Sequence, residues 1–258
     1  MTAQDRLIGS TRRAAVQLFT VRDAVAQGLE ATLDRLADIG YHEVELYDFV
    51  DQPARFADAL ARSTVRAPVG HAPFLHLDWT RIFDAASTLG LTTVINPSSA
   101  AASWSDPDYS LRLADTLNDA ADQARAYGLT VGYHNHSYEF ENLRGDEPAF
   151  LGFAHRLDPR VVLEVDTYWA AVGGVNVIEL LTELGDRVRY LHVKDGPLTK
   201  VGAEQLPLGA GLMPVAEILA AAPRALGIVE MDGYAGGDVF DALAESLRFL
   251  EDHGWSAS

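Results

Sequence analysis

Eight times in 258 residues, a short apolar run is followed by a longer segment with helical spacing. The runs fall at 14–19 (AAVQLF), 43–47 (EVELY), 67–72 (APVGHA), 92–97 (TTVINP), 130–136 (TVGYHNH), 161–166 (VVLEVD), 188–195 (VRYLHVKD) and 226–232 (LGIVEMD). Most are near-continuous in apolar residues, as strands buried on both faces must be. Between them, patterns such as Leu29, Leu33, Leu36 and Ile39 ahead of Gly40 mark amphipathic helices with a glycine stop. No Pro/Gly/Ser-rich linker divides the series, so one α/β domain over 1–258 is expected. Eight strand–helix units in about 250 residues is the size of a (β/α)8 TIM barrel. An open doubly wound sheet is the alternative, but no G-x-G-x-x-G follows the first strand. The longest non-periodic insert, 97–108 (PSSAAASWSDPD), is expected to act as a lid over the barrel mouth.

Composition narrows the partners. The formal charge of −17 opposes nucleic acid and anionic membrane surfaces. No apolar run reaches the roughly 18–20 residues of a membrane span, and the first residues lack the pattern of a secretory signal. The chain has no cysteine, which removes disulfides, thiolate metal sites and cysteine nucleophiles and fits a cytoplasmic protein. A small-molecule substrate is the expectation, and a homo-oligomer is compatible with it.

In a barrel, the carboxyl ends of the strands converge on one mouth. Polar residues stand at nearly all of them: Gln17, Glu45, His71, Asn96, His134 and His136 with Glu139 just beyond, Glu164 and Asp166, His192 and Lys194, and Glu230 and Asp232. Buried charge is costly unless it is paired or bound to a metal. Carboxylates with imidazoles and no thiolate suit Mn, Mg, Co or Zn without choosing among them. Each residue also has a plainer reading. His134 and His136 could be core histidines, although residues two apart on a strand share a face. Asp166 could cap the turn before TYWAAVGG, and Lys194–Asp195 could be a surface ion pair. Trp169 could be core or a platform for a sugar ring. Glu43 and Asp48 read as solvated charges.

The segments VQLFTVRD (16–23), LADIGYHEVEL (36–46), YHNHSYEFE (133–141), LEVDTYWAAVGGVN (163–176), LHVKDG (191–196), LGAGLMP (208–214) and IVEMDG (228–233) resemble the sugar phosphate isomerase/epimerase superfamily of xylose isomerase-like TIM barrels. The resemblance covers nearly the whole chain, and the YHNH segment places it in a subgroup within that superfamily. It implies one divalent metal ion held by residues of strands five to eight: Glu139, Asp166, His192 and Glu230, with His136 as the alternative fifth-strand ligand. It also implies proton transfer beside a carbonyl through a metal-stabilised enediolate, giving isomerisation or epimerisation of a sugar or keto-sugar. Loss of a β-hydroxyl instead would make the chain a dehydratase or lyase of a keto-sugar or inosose. Glu139 and Glu230 are the expected acid/base pair, with His134 and Lys194 as further catalytic candidates. His71, His136 and Trp169 are the candidate substrate contacts. A sugar-binding barrel without catalysis is the alternative from another class, and a metal-dependent nuclease is opposed by the charge.

Overall fold

The computed structural model describes residues 12–256. The chain start, read as lacking a secretory signal, lies outside them. Eight parallel strands close into a barrel: β1 Arg12–Gln17, β2 Glu43–Leu46, β3 Arg66–His71, β4 Thr93–Asn96, β5 Thr130–His134, β6 Val162–Asp166, β7 Val188–Val193 and β8 Leu226–Val229. Each strand pairs with the next, and β8 returns to β1 through Ala15↔Ile228 and Val16↔Val229. Eight main helices alternate with the strands: α1 Leu29–Ile39, α2 Pro53–Arg62, α3 Trp79–Leu89, α4 Pro107–Ala124, α5 Ala149–Arg156, α6 Val177–Leu184, α7 Val215–Ala221 and α8 Val239–Asp252. This is the (β/α)8 architecture expected from the eight-fold alternation. No helix of the described residues is long and apolar enough to cross a membrane.

Two cores result. One lies between the strands and the helices and takes the apolar stripes, such as Leu29, Leu33 and Leu36 of α1. The other fills the barrel itself: Ala15, Val69, Ile95 and Ile228 cluster, with Val162, Tyr190 and Leu226 packed against them. Because side chains on a strand repeat every two residues, the next inward layer follows from this plug. Two residues beyond Ala15, Val69, Val162, Tyr190 and Ile228 stand Gln17, His71, Glu164, His192 and Glu230. The barrel is thus apolar below and polar above. On β5 the residue two before His134 is Gly132, where a Cβ would come within 2.3 Å of Ile95 Cδ1 and 3.0 Å of the Val162 carbonyl oxygen. The plug leaves room only for glycine there.

All the strands but β6 stop short of the runs that announce them, three of them by two residues or more with a candidate site residue beyond the end. β5 ends at His134, β7 at Val193 and β8 at Val229, so His136, Lys194 and Glu230 lie on the first residues of the loops. Side chains take over the backbone pairing there. Asn135 accepts from the Asp166 N–H (3.0 Å) and donates to the Asp166 carbonyl (3.1 Å). Asp195 accepts from the N–H groups of Gly196, Gly209, Gly211 and Met213. Gln205 accepts from the Asp232 N–H. Asp195 is therefore a buried loop anchor, not half of a surface pair with Lys194.

The 97–108 segment, expected as a lid, borders the mouth through Pro97 and Ser98 and is anchored at Trp104. Trp104 is fully buried against Tyr109 and Phe153 and donates to Ser99 Oγ (2.8 Å), and Arg144 donates to the Trp104 carbonyl. A small antiparallel pair, Leu143–Arg144 with Glu147–Pro148, carries no signal in the sequence pattern.

Candidate metal centre

The inward residues of the polar layer meet near the mouth in two overlapping groups. The upper is His134, Asp166, His192 and Glu230; the lower is His71, His134, Glu164 and His192. In each, one ligand atom per residue lies within 4.8 Å of all the others. Tetrahedral ligands at 2.0–2.2 Å from an ion stand about 3.4 Å apart, so the upper group, with two imidazoles and two carboxylates, fits a divalent cation after small adjustments. All four of its members are buried.

Contacts within the centre are short. His192 places Nδ1 2.6 Å from Glu230 Oε2 and Nε2 2.6 Å from Glu45 Oε2. His134 places Nδ1 3.0 Å from Glu164 Oε2 and Nε2 3.8 Å from Asp166 Oδ2. His71 Nε2 lies 2.6 Å from Glu164 Oε2 and 3.3 Å from Glu45 Oε1. Gln17 Nε2 donates to Glu45 Oε2 at 2.7 Å. Glu164 Oε1 is buried and makes no hydrogen bond. Asp166 does cap the helix that follows, accepting from the Trp169 N–H through Oδ1, while Oδ2 turns to the centre and pairs with Lys194.

Lys194 is not turned to the cavity. Its ammonium sits 2.8 Å from Asp166 Oδ2, 2.8 Å from Glu230 Oε2 and 2.9 Å from Asp232 Oδ2, and the residue is only 1% exposed. This catalytic candidate acts here as a built-in counter-ion for the upper carboxylates.

Burial and charge set the protonation states. Burial opposes charge on His192, but Glu164, Glu230 and Glu45 outweigh it and hold the imidazole well above its ordinary value. Burial, reinforced by His192, drives His134 well below its own. His136 is lowered to about 4 by burial and then by Lys194. Asp166 is pushed up to about 6 by burial against the pull of Lys194. Burial would raise Glu230, yet Lys194 and His192 hold it well below the usual carboxylate range.

A cavity of about 370 Å³ opens onto the centre. Phe19, Tyr47, Pro73 and Pro97 form its apolar side, and His71, His134, His136, Glu230 and Asp232 its polar side. Asp48 at its rim holds a positive φ of 52°. A larger depression of about 540 Å³ lies around the starts of the strands. Its carboxylate, Glu43, is buried and paired with Arg13 and Arg66, so it is not a solvated charge and gathers no ligand set.

The structure thus brings Asp166, His192 and Glu230 together as expected, and adds His134 as the fifth-strand member. Glu139 belongs to neither group. It lies in the short helix Tyr138–Glu141, which turns its carboxylate back under β5. There Oε1 accepts from Tyr133 Oη and Oε2 from the His136 N–H, both at 2.8 Å. Burial raises its carboxyl to about 8. His136, the alternative ligand, is also outside both groups; it lines the cavity with a buried Nδ1 that makes no hydrogen bond. Trp169 stacks behind His136, with ring centroids 6.5 Å apart, and is not part of the cavity wall. Sequence reasoning gives Glu45 and Glu164 no role beyond their strand-end positions. Glu164 was nonetheless legible, since it lies two residues before Asp166 and must share its face.

The model of the xylose isomerase-like TIM barrel family matches residues 33–253. Solved structures share the fold at low identity. A sugar phosphate isomerase/epimerase from Parabacteroides distasonis is 21% identical, with a TM-score of 0.79 over 94% of this chain and 95% of that one. The IOLI protein, solved with a bound zinc atom, is 15% identical, with a TM-score of 0.69 over 93% and 97%. A probable 3-DHS dehydratase, AsbF, from Bacillus anthracis is 11% identical, with a TM-score of 0.73 over 93% and 98%. No curated protein sequence matches the chain. With the family model spanning most of its length and the barrel closed around a histidine–carboxylate centre, the chain belongs to the xylose isomerase-like TIM barrel family.

Proposed function

We propose that the chain is a divalent-metal-dependent isomerase or epimerase of a sugar or keto-sugar. The observation that carries the reading is the upper group, two imidazoles and two carboxylates buried at the floor of a cavity sized for a small polyol. His134, Asp166, His192 and Glu230 would hold the ion, which is Mn, Mg, Co or Zn by ligand chemistry. When bound, it would supply Lewis-acid stabilisation of the charge that builds on adjacent carbonyl and hydroxyl oxygens as a proton leaves the hydroxyl-bearing carbon beside the carbonyl.

The chain's own residues do the rest. Phe19, Tyr47, Pro73 and Pro97 offer an apolar wall that excludes water from one side of the substrate. His136 lines the cavity and, held neutral at physiological pH by burial and by Lys194, meets the substrate as a neutral hydrogen-bonding group. Glu230 faces the same cavity and is the acid/base group. Return of the proton to the opposite face epimerises the carbon; return to the neighbouring carbon isomerises the sugar. Glu139, expected as the partner of Glu230, is engaged by Tyr133 and His136 beneath the strand and has no part in this assignment.

The test is metal content of the purified full-length chain by mass spectrometry, followed by solvent-deuterium incorporation into a panel of keto-sugars. About one divalent ion per chain, lost in an Asp166→Ala/His192→Ala variant, with deuterium entering a carbon beside a carbonyl, is the expected result. A native chain that takes up no ion after Mn, Co and Zn are added back would overturn the reading and leave a sugar-binding barrel.

A further inference from the structure

The two ligand groups share His134 and His192, and the way they share them decides which group binds an ion. A neutral imidazole has one lone pair and one N–H. In each shared ring, one nitrogen faces the upper carboxylates and the other a lower one. His134 turns Nε2 toward Asp166 and Nδ1 toward Glu164 (3.0 Å). His192 turns Nδ1 toward Glu230 and Nε2 toward Glu45 (2.6 Å). Ions in both groups would need two lone pairs on the same ring. One group must therefore ligate while the other receives the N–H.

Charge separates them: the upper group sets two carboxylates, Asp166 and Glu230, against a divalent ion, and the lower only Glu164, while each has two members on the cavity wall. Glu45 is held by Gln17 Nε2, and Glu164 by His71 Nε2. A carboxylate held by a second donor and aimed at a ring N–H is the arrangement that fixes the tautomer of a metal-ligating histidine.

We infer that Glu164 and Glu45 are positioning residues. Glu164 holds the Nδ1–H of His134 and Glu45 holds the Nε2–H of His192, so that the lone pairs on His134 Nε2 and His192 Nδ1 face one ion in the upper group. The inference rests on the metal reading of the site given above and assigns a role to the two carboxylates that reading leaves unused. The opposite tautomers on the two rings, Nδ1–H on one and Nε2–H on the other, are its distinctive consequence.

The experiment uses the full chain stripped of metal and titrated with Co²⁺ by calorimetry, in the wild type, Glu164→Ala and Glu164→Gln. Ring protonation is read in parallel by ¹⁵N–¹H correlation spectra of the Zn²⁺-loaded, histidine-labelled protein, and folding by far-UV circular dichroism. The wild type should bind one ion, with His134 protonated at Nδ1 and His192 at Nε2. Glu164→Ala should bind it roughly 10- to 100-fold more weakly. Glu164→Gln, whose amide oxygen can still accept the Nδ1–H, should recover part of that loss and keep the His134 tautomer. One ion bound with unchanged affinity in a folded Glu164→Ala overturns the inference and leaves the metal reading standing. Two ions per wild-type chain, one lost in Glu164→Ala, also overturn it, because the lower group would then be ligating. No uptake by the wild type removes the metal reading itself, and the inference with it.

Discussion

Glu139→Gln separates the sequence expectation from the structure. Read as a ligand, Glu139 should lose the metal on this change. Read from its surroundings, it should lose only a buried acid. Its carboxyl has an ordinary value of 4.5 and is raised to about 8 in the fold, chiefly by burial. The sign follows from proton counts. Between those values the unfolded chain has released the proton while the folded chain keeps it, so stability falls as pH rises. Below about pH 4.5 both states are protonated and nothing is lost. At roughly 1.4 kcal/mol per unit, this group withdraws about 3 kcal/mol between pH 5 and pH 8. Glutamine has nearly the same shape and no proton to lose. Its oxygen can accept from the His136 N–H, and its amide can donate to Tyr133 Oη, which has Ser99 Oγ at 2.8 Å as a further partner. Urea unfolding of both proteins at pH 5 and pH 8 isolates the effect, because other titrating groups cancel in the difference. The variant should gain about 3 kcal/mol on the wild type across that interval and retain full Co²⁺ uptake. A flat difference would show Glu139 ionised in the folded protein, and loss of Co²⁺ would make it a ligand; either result refutes the reasoning.

Two further outcomes follow from the same electrostatics. His192 is held well above its ordinary value by Glu164, Glu230 and Glu45, so an entering ion must displace its proton. Co²⁺ affinity, measured by competition with a chelator from pH 6 to 8, should rise with pH by up to about tenfold per unit; a flat profile would mean that His192 is already neutral without metal. Lys194→Met should lower the urea stability of the metal-free protein by about 3–5 kcal/mol, since it leaves three carboxylates without their ammonium. A divalent ion should restore most of that loss, and a variant as stable as the wild type without metal would refute the counter-ion role.

Much of this was legible in the sequence because the barrel repeats one rule eight times. An apolar run ends in a polar residue, and the period of two sends that residue inward, as Val162 and Glu164 or Tyr190 and His192 show. Asp166 and His192 converge for that reason, and Glu230, one residue past β8, keeps the same alternation. The rule fails where the strand stops. Glu139 lies five residues past the last residue of β5, inside a one-turn helix, and no periodicity says which way such a side chain turns. Lys194 is the first residue after β7, and its place depends on where Asp166, Glu230 and Asp232 sit on other strands, which is tertiary information. Asn135 reads as the polar filler of HNH, yet its two backbone bonds to Asp166 clasp the ends of β5 and β6. Glu45 was visible as the polar position of EVELY, but its burial shows only once the sheet closes.

The ammonium of Lys194 has a consequence for the life of the protein before it meets an ion. Many metal sites are folding devices, since ligands gathered without their cation repel and the chain stays open until it arrives. Here the repulsion among Asp166, Glu230 and Asp232 is relieved by a charge the ribosome has already supplied. The barrel can be assembled first and furnished later, whatever the supply of metal at the time of synthesis.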